Sequence, residues 1–337
     1  MPLFHTNKPL IVITMGDPSG IGPEIIMKAL ANLSKERFAV FVIAGDEAVM
    51  KDAAASFYRK PLAVKRISDD VVFEEDAINL VDPGPELKSV KPGFPDDEGA
   101  KKAVSCLDAA VRIVRDAPPK EARAMVTAPV SKERIARLCP GFVGHTEYLE
   151  KAFSARMVTM AMVGKHFTVI PITRHIPLSE VPKKLTAGLI VDTIAQVVEN
   201  RYLLSGKDNP RIGVAALNPH GGEGGRMGKE EIDIIKPAVE KARSFYGSIE
   251  GPIPADVIFY KAFNKEIDIV VSMYHDQCLA PFKMVDFATG VNTTLGLGCV
   301  RTSPDHGTAF DIAGKGLASS ASMEEAIRLA ARAVRPK

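Results

Sequence analysis

Tryptophan is absent from this 337-residue chain, and cysteine occurs only four times. The absence of tryptophan has no functional consequence. Cys106, Cys139, Cys278 and Cys299 form no C-x-x-C pair, so no disulfide framework is expected. Long apolar runs are also missing, none approaching the roughly 18 residues that a membrane span needs. The opening MPLFHTNK lacks a hydrophobic signal core, so export is not expected and a cytoplasmic protein is. Charge of one sign is scarce too. With 43 Lys and Arg against 41 Asp and Glu, the formal net charge is +2, and no basic run is interleaved with aromatics. Nucleic acid and membrane are therefore not expected as partners.

Two nucleotide-binding templates are absent as well. The stretch GDPSGIGPEI at 16–25 follows an apolar run and precedes a helical pattern. A dinucleotide fingerprint would need glycine or alanine where Ile25 stands, and a Walker A loop would need a Gly-Lys-Ser/Thr ending. What remains is strand–glycine–helix grammar. Residues 10–15 read as a buried strand, and 24–33 place Ile25, Ile26, Ala29, Leu30 and Leu33 on one helical face. Pro23 suits a first helical turn, where its missing N–H costs nothing. A tight turn and a ligand loop fit this stretch equally well.

The rest of the chain alternates in the same way. Apolar runs at 38–43, 124–127, 167–172, 212–217 and 267–273 read as strands. Helical patterns fill 98–114, 187–198, 229–245 and 323–334, the last with Ser322 and Glu325 spaced as a capping box. This alternation predicts an α/β fold with largely parallel sheets, in two domains or one large unit. Residues 54–97, rich in Pro, Gly and Asp, read as a surface excursion.

Ligands of open α/β sheets sit outside the carboxyl ends of strands. Three of the seven histidines, His175, His220 and His275, each close an apolar run and open a polar loop. Separated by 45 and 55 residues, they match no local metal motif. Singly, each reads as a hydrogen-bonded loop residue. Together, three imidazoles would suit a divalent ion, Zn²⁺ best. Asp276 and Asp256 are the nearest carboxylates for base work or for orienting a ligand, and either would equally serve as a cap or turn residue. Lys283, Asn292, Arg301, His145 and Thr146 would suit a small phosphorylated or carboxylated substrate.

Seven ordered blocks give the chain a resemblance to a known family. They are GDPSGIGPEI at 16–25, TAPVSK at 127–132, GHTEYL at 144–149, RHIPL at 174–178, NPHGGEGG at 218–225, YHDQCLAPFK at 274–283 and GVNTTLGLGCVRTSPDHGTAFDIAGKG at 290–316. In these it resembles the 4-hydroxythreonine-4-phosphate dehydrogenases of vitamin B6 biosynthesis, distant kin of the isopropylmalate and isocitrate dehydrogenases. The resemblance implies two α/β/α domains of the isocitrate/isopropylmalate dehydrogenase-like type. One, on the cofactor side, would comprise 1–130 plus 300–337; the other, for metal, substrate and dimerisation, 131–299. It also implies an obligate homodimer with the active-site cleft at the dimer interface.

By the same resemblance, His175, His220 and His275 are metal ligands shared between subunits, for Zn²⁺, Mg²⁺ or Co²⁺. His145, Thr146, Lys283, Asn292 and Arg301 take substrate-binding positions, and Asp256, Asp276 and Lys283 are the catalytic candidates. Cofactor contacts fall to the DHGTAFDIAGKG loop, with His306, Gly307, Thr308 and Asp311. The implied reaction oxidises the secondary alcohol of 4-phosphooxy-L-threonine with NAD⁺ or NADP⁺, aided by a divalent ion that acidifies the hydroxyl. The product, 2-amino-3-oxo-4-phosphooxybutanoate, is a β-keto acid that loses CO₂ to give 3-amino-2-oxopropyl phosphate.

Three positions depart from the family's commonest pattern: Cys278 after YHDQ, GLGC before Arg301, and Gly221 in NPHGGE. None removes a polar functional group. Cys278 is expected to make the site sensitive to thiol reagents. The nearest rival on the same scaffold is a D-threonate or D-erythronate 4-phosphate dehydrogenase, and a remoter one is a metal-dependent hydrolase or acyltransferase.

Overall fold

A computed structural model of the protein describes residues 8–33, 35–58, 78–116 and 123–334, together with the backbone of 65–66. The sequence-based surface excursion at 54–97 lies partly outside these described residues, as does most of the opening MPLFHTNK. The chain separates into two compact units, one of Met1–Val158 with Leu297–Lys337 and one of Thr159–Gly296.

In chain order the first unit begins with β1 (Leu10–Thr14), α1 (Gly22–Leu33), β2 (Val40–Ala44), α2 (Glu47–Phe57), β3 (Lys65–Arg66) and β4 (Asn79–Val81). It continues with α3 (Asp97–Arg115), β5 (Arg123–Thr127), α4 (Lys132–Leu138) and α5 (His145–Ala152). The second unit holds β6 (Thr159–Val163), β7 (Thr168–Thr173), α6 (Val181–Lys184), α7 (Ala187–Glu199), α8 (Arg201–Ser205) and β8 (Ile212–Ala215). After these come α9 (Lys236–Arg243), β9 (Ile249–Ile253), α10 (Ala255–Phe263), β10 (Ile269–Tyr274), α11 (His275–Asp286) and β11 (Val291–Leu295). The chain returns to the first unit with β12 (Val300–Pro304) and α12 (Ala321–Ala333).

The first unit's strands run β3-β4-β2-β1-β5-β12, every pair parallel. Leu10 stands in register with Val40 on one side and Arg123 on the other. All five residues of β1 are buried, so a strand covered on both faces reads as one unbroken apolar run. The helical face read from sequence in α1 is wholly buried, and so are Ala103, Cys106, Leu107, Ala110 and Val114 of α3. Asp96 caps α3 by accepting from the Gly99 N–H at 2.7 Å.

Lys102 is the buried charge on α3. Its Nζ donates to Asp82 Oδ1 and to Pro85 O (2.9 Å) and lies 3.3 Å from Asp46 Oδ2. Burial works against its charge, yet the two carboxylates outweigh that and raise its pKa. Asp46 and Asp82 follow the ends of β2 and β4, so this ion cluster ties α3 to two strand ends.

The second unit's strands run β11-β6-β7-β10-β8-β9. Strands β7, β10, β8 and β9 are parallel neighbours, but β6 is antiparallel to both β7 and β11. The sheet is thus more mixed than the sequence alternation predicts. A hairpin makes the difference. Asp286, buried at the end of α11, accepts from the Lys165 and His166 N–H groups, both at 3.1 Å, and so fixes the turn between β6 and β7. Phe167, Val169, Val270, Ile258, Cys278 and Phe282 form the core of this unit.

Within the first unit, Ile135 of α4 and Phe142 pack with Ala100 of α3. Two sequence expectations need correction. The helix expected over 229–245 opens instead with a π turn at Glu231–Ile235: the Lys236 N–H bonds to Glu231 O, five residues back, and Pro237 has no N–H to continue an α ladder. Ser322 is not the residue before α12, where Ser320 stands instead. Ser322 lies inside α12, and its Oγ accepts the Asp305 N–H at 3.0 Å.

Candidate active site

The three histidines stand at the carboxyl ends of three neighbouring parallel strands of the second unit, β7, β10 and β8. His175 follows β7 with φ 53°, in the left-handed region. His275 does not open a polar loop, as its sequence context suggests, but is the first residue of α11. The rings of His175 and His275 lie 5.6 Å apart, centre to centre, tilted by 46°. His220 sits in a turn after β8 where five consecutive residues, His220 to Gly224, have φ between 43° and 77°. Among the described residues, no three His, Cys, Asp or Glu side chains of one chain gather into a group that could hold a metal ion.

Asp276 Oδ1 is 2.7 Å from His275 Nδ1. With the carboxylate accepting, the proton sits on Nδ1 and the Nε2 lone pair is left for a ligand. Asp276 is itself 85% exposed, and Asp256 is exposed in the first turn of α10. Lys283 lies further along α11, its Nζ 5.2 Å from the centre of the Phe287 ring. Asn292, on β11, buries its Oδ1 without a hydrogen-bond partner.

Other candidate residues belong to the first unit. Arg301 on β12 is 3% exposed, and its Nε and Nη2 donate to Thr127 Oγ1 of β5 at 3.2 and 2.6 Å. Burial pulls its pKa down to about 10, an effect opposed by Cys299 and Glu147. His145 and Thr146 open α5. His145 as a residue is half-buried, and its Nε2 is buried with no hydrogen-bond partner. That burial, with the charges of Arg301 and Lys132, pushes its pKa down to about 3. A neutral imidazole thus shares its surroundings with a buried guanidinium and a lysine, a combination suited to an anionic group. Sequence reasoning assigned no role to Thr127 or Lys132, although both lie in the TAPVSK block.

The loop after β12 carries His306, Gly307, Thr308 and Asp311. His306 Nδ1 is 3.1 Å from Gly307 O, and His306, Gly307 and Asp311 are exposed. This loop rests on GDPSGIGPEI: Thr308 O accepts the Ile21 N–H at 3.0 Å, and a Cβ at Gly20 would meet Thr308 O at 3.0 Å. Lys28 donates to Gly316 O and Ala318 O, both at 2.8 Å, while Glu24 accepts the Ala318 N–H at 3.0 Å. The opening glycine stretch is therefore a tight turn whose glycines let the C-terminal loop come close. Asp17, also unassigned from sequence, is buried in that turn, with Oδ1 accepting the Ser19 N–H at 3.0 Å and burial raising its pKa.

Cys278 corrects one expectation. It is fully buried, and burial pushes its thiol up to about 12, so no thiolate is available at neutral pH for a reagent to attack.

Comparison with known proteins places this architecture. The family model described as "Pyridoxal phosphate biosynthetic protein PdxA" matches residues 36–330. A 4-hydroxythreonine-4-phosphate dehydrogenase of Desulfosudis oleivorans is 42% identical over 325 residues, covering 96% of this chain and 95% of the relative. Among solved structures, that of 4-hydroxythreonine-4-phosphate dehydrogenase from Klebsiella pneumoniae aligns with a TM-score of 0.82 at 35% identity, covering 97% of this chain and all of the other. A terephthalate 1,2-cis-dihydrodiol dehydrogenase from Burkholderia xenovorans aligns with a TM-score of 0.69 at 27% identity, covering 96% and 98%. With the family model spanning most of its length and relatives above 40% identity over nearly all of it, this chain belongs to the PdxA family of pyridoxal phosphate biosynthetic proteins.

Proposed function

We propose that the chain is an oxidoreductase that converts 4-phosphooxy-L-threonine to 2-amino-3-oxo-4-phosphooxybutanoate with NAD⁺ or NADP⁺, a β-keto acid that then loses CO₂ to give 3-amino-2-oxopropyl phosphate. The observation that carries this is the match, at 42% identity over 96% of the chain, to a relative bearing that activity's name.

The residues of each unit support their part of the reaction. Arg301, held by Thr127, with neutral His145 and with Thr146, offers donors to a phosphate or carboxylate. In the second unit, Lys283 offers a cation and Asn292 a buried amide oxygen, which would accept from an amine or hydroxyl. The loop from His306 to Asp311, bedded on Gly20 and Ile21, would offer its backbone and the His306, Thr308 and Asp311 side chains to the dinucleotide.

The donor set also fits a divalent ion. Imidazoles are good ligands for Zn²⁺ and Co²⁺, and rings 5.6 Å apart are close enough for one ion to bond both at the usual distance of about 2 Å. His175 and His275 would hold it, with His220 supplied from a second copy of the chain. When bound, the ion would supply Lewis acidity toward the substrate hydroxyl, and the nicotinamide would accept hydride. Asp276 would keep Nδ1 of His275 protonated and its Nε2 directed at the ion. Asp256 or Asp276 would receive the hydroxyl proton, while Lys283 would act in catalysis as a cation that offsets negative charge on the substrate.

A homodimer is supported by exposed apolar side chains of the second unit. Val257, Tyr260 and Phe263 recur every three residues along α10 and are all exposed, Tyr260 by 69%. Met284, 87% exposed, and Phe287 extend such surface beside Lys283 at the end of α11. Among the described residues no helix is long and apolar enough to cross a membrane, and a cytoplasmic location accompanies the proposal.

The test is NAD(P)H absorbance with 4-phosphooxy-L-threonine and with D-erythronate 4-phosphate, each with both nicotinamides. Faster turnover of 4-phosphooxy-L-threonine is expected. Preference for D-erythronate 4-phosphate would replace the assignment by its nearest rival, and no reduced nicotinamide with either would overturn it.

A further inference from the structure

Glu231 has no part in the chemistry above, yet it is a carboxylate only 4% exposed. Its Oε1 accepts the Leu217 N–H at 2.8 Å and the Asn218 N–H at 2.7 Å, and its Oε2 accepts Asn218 Nδ2 at 2.9 Å. Those two amides are the last before the chain enters the His220 turn, since Pro219 has none. The turn is also wrapped tightly around the carboxylate: a Cβ at Gly222 would lie 2.7 Å from Glu231 Oε2. Glu231 itself stands at the start of the π turn, the kind of helix irregularity that recurs at functional sites.

The turn needs such an anchor. His220 and Glu223 carry side chains at φ 52° and 43°, a left-handed conformation that is strained for an ordinary residue and persists only where surrounding contacts over-determine it. Gly221, Gly222 and Gly224 accept the same conformation without that strain. Hydrogen bonds from two amides and a carboxamide to one buried carboxylate supply the constraint.

We infer that Glu231 is a positioning residue for metal binding: its carboxylate holds the 217–222 turn in the left-handed form that presents His220 to the divalent ion. This rests on His220 being a ligand. A glutamine at 231 keeps one acceptor oxygen but turns an N–H toward Asn218 Nδ2, donor against donor, so the turn loosens while side-chain volume is kept.

Co²⁺ titration of the metal-stripped, full-length protein tests the inference, with folding checked by circular dichroism and amide exchange followed over 217–225. Glu231→Gln is expected to weaken Co²⁺ binding by about 10- to 100-fold, the usual loss when a group that orients a ligand is removed, and to speed exchange in that segment. Gly222→Ala, which pushes the carboxylate aside without touching its charge, is expected to do the same and serves if Glu231→Gln does not fold. Folded variants that bind Co²⁺ as wild type does, while His220→Ala binds it weakly, would overturn the inference alone. Wild-type Co²⁺ affinity in His220→Ala would overturn the ligand assignment beneath it.

Discussion

Replacing Thr127 by valine isolates one oxygen. Valine keeps the branched shape that β5 buries but removes Oγ1, which accepts both Nε and Nη2 of Arg301 at 3.2 and 2.6 Å. A hydrogen bond to a charged group contributes about 1.5–3 kcal/mol, and leaving a buried guanidinium with fewer acceptors adds to the loss. At 1.4 kcal/mol per factor of ten, that range corresponds to about 10- to 150-fold in affinity if it falls on a substrate bound by Arg301. Steady-state kinetics from NADH formation should therefore show KM for 4-phosphooxy-L-threonine raised by at least about tenfold. The KM for NAD⁺ should stay near wild type, because the loop that would take the cofactor is bedded on Gly20 and Ile21 instead. Thr127→Ser, which restores the oxygen, should recover most of the loss. An unchanged KM for the phosphorylated substrate in a folded Thr127→Val enzyme would refute the placing of Arg301 in its binding site.

Three further outcomes follow from the same geometry. His145 has its pKa lowered from 6.5 to about 3 by burial, so the folded state resists its protonation; the stability this gives is present above pH 6.5 and is lost as pH falls toward 3. Urea midpoints should thus fall more steeply over that window for wild type than for His145→Gln, and parallel profiles would contradict the burial of Nε2. Gly20→Ala places a methyl group 3.0 Å from Thr308 O and 3.2 Å from its Cβ, displacing the loop; KM for the nicotinamide should rise several-fold with KM for the phosphorylated substrate little changed, and the reverse pattern would sink the cofactor assignment. Cys278 should resist thiol reagents in the folded enzyme and react once urea exposes it; rapid native labelling of Cys278, located by peptide mapping, would contradict its burial.

The elements legible in the sequence were those whose pattern is local. Buried parallel strands such as β1 leave an unbroken apolar run, and α1 and α3 show their buried faces at helical spacing. Strand β6 and its antiparallel course were not read from the sequence, because Asp286, more than 120 residues away, fixes the turn that follows it. For the same reason Ser322 and Glu325 misled: spacing alone cannot show that the Asp305 N–H claims the hydroxyl. His275, read as opening a loop, begins a helix that also contains Pro281, a residue that argues against helix on sequence grounds.

The strand-end position of the candidate histidines could be read from where apolar runs stop. Their supports could not. Thr127 reaches Arg301 across 174 positions of sequence, and Glu231 serves the His220 turn through backbone amides that carry no side-chain signature.

Chelation followed by metal restoration tests most directly that this chain oxidises its phosphorylated substrate at a histidine-bound divalent ion. NADH formation from 4-phosphooxy-L-threonine should disappear when the enzyme is stripped completely of metal, as confirmed by elemental analysis, and return when Zn²⁺, Co²⁺ or Mg²⁺ is supplied. Undiminished turnover by enzyme containing no metal would contradict it.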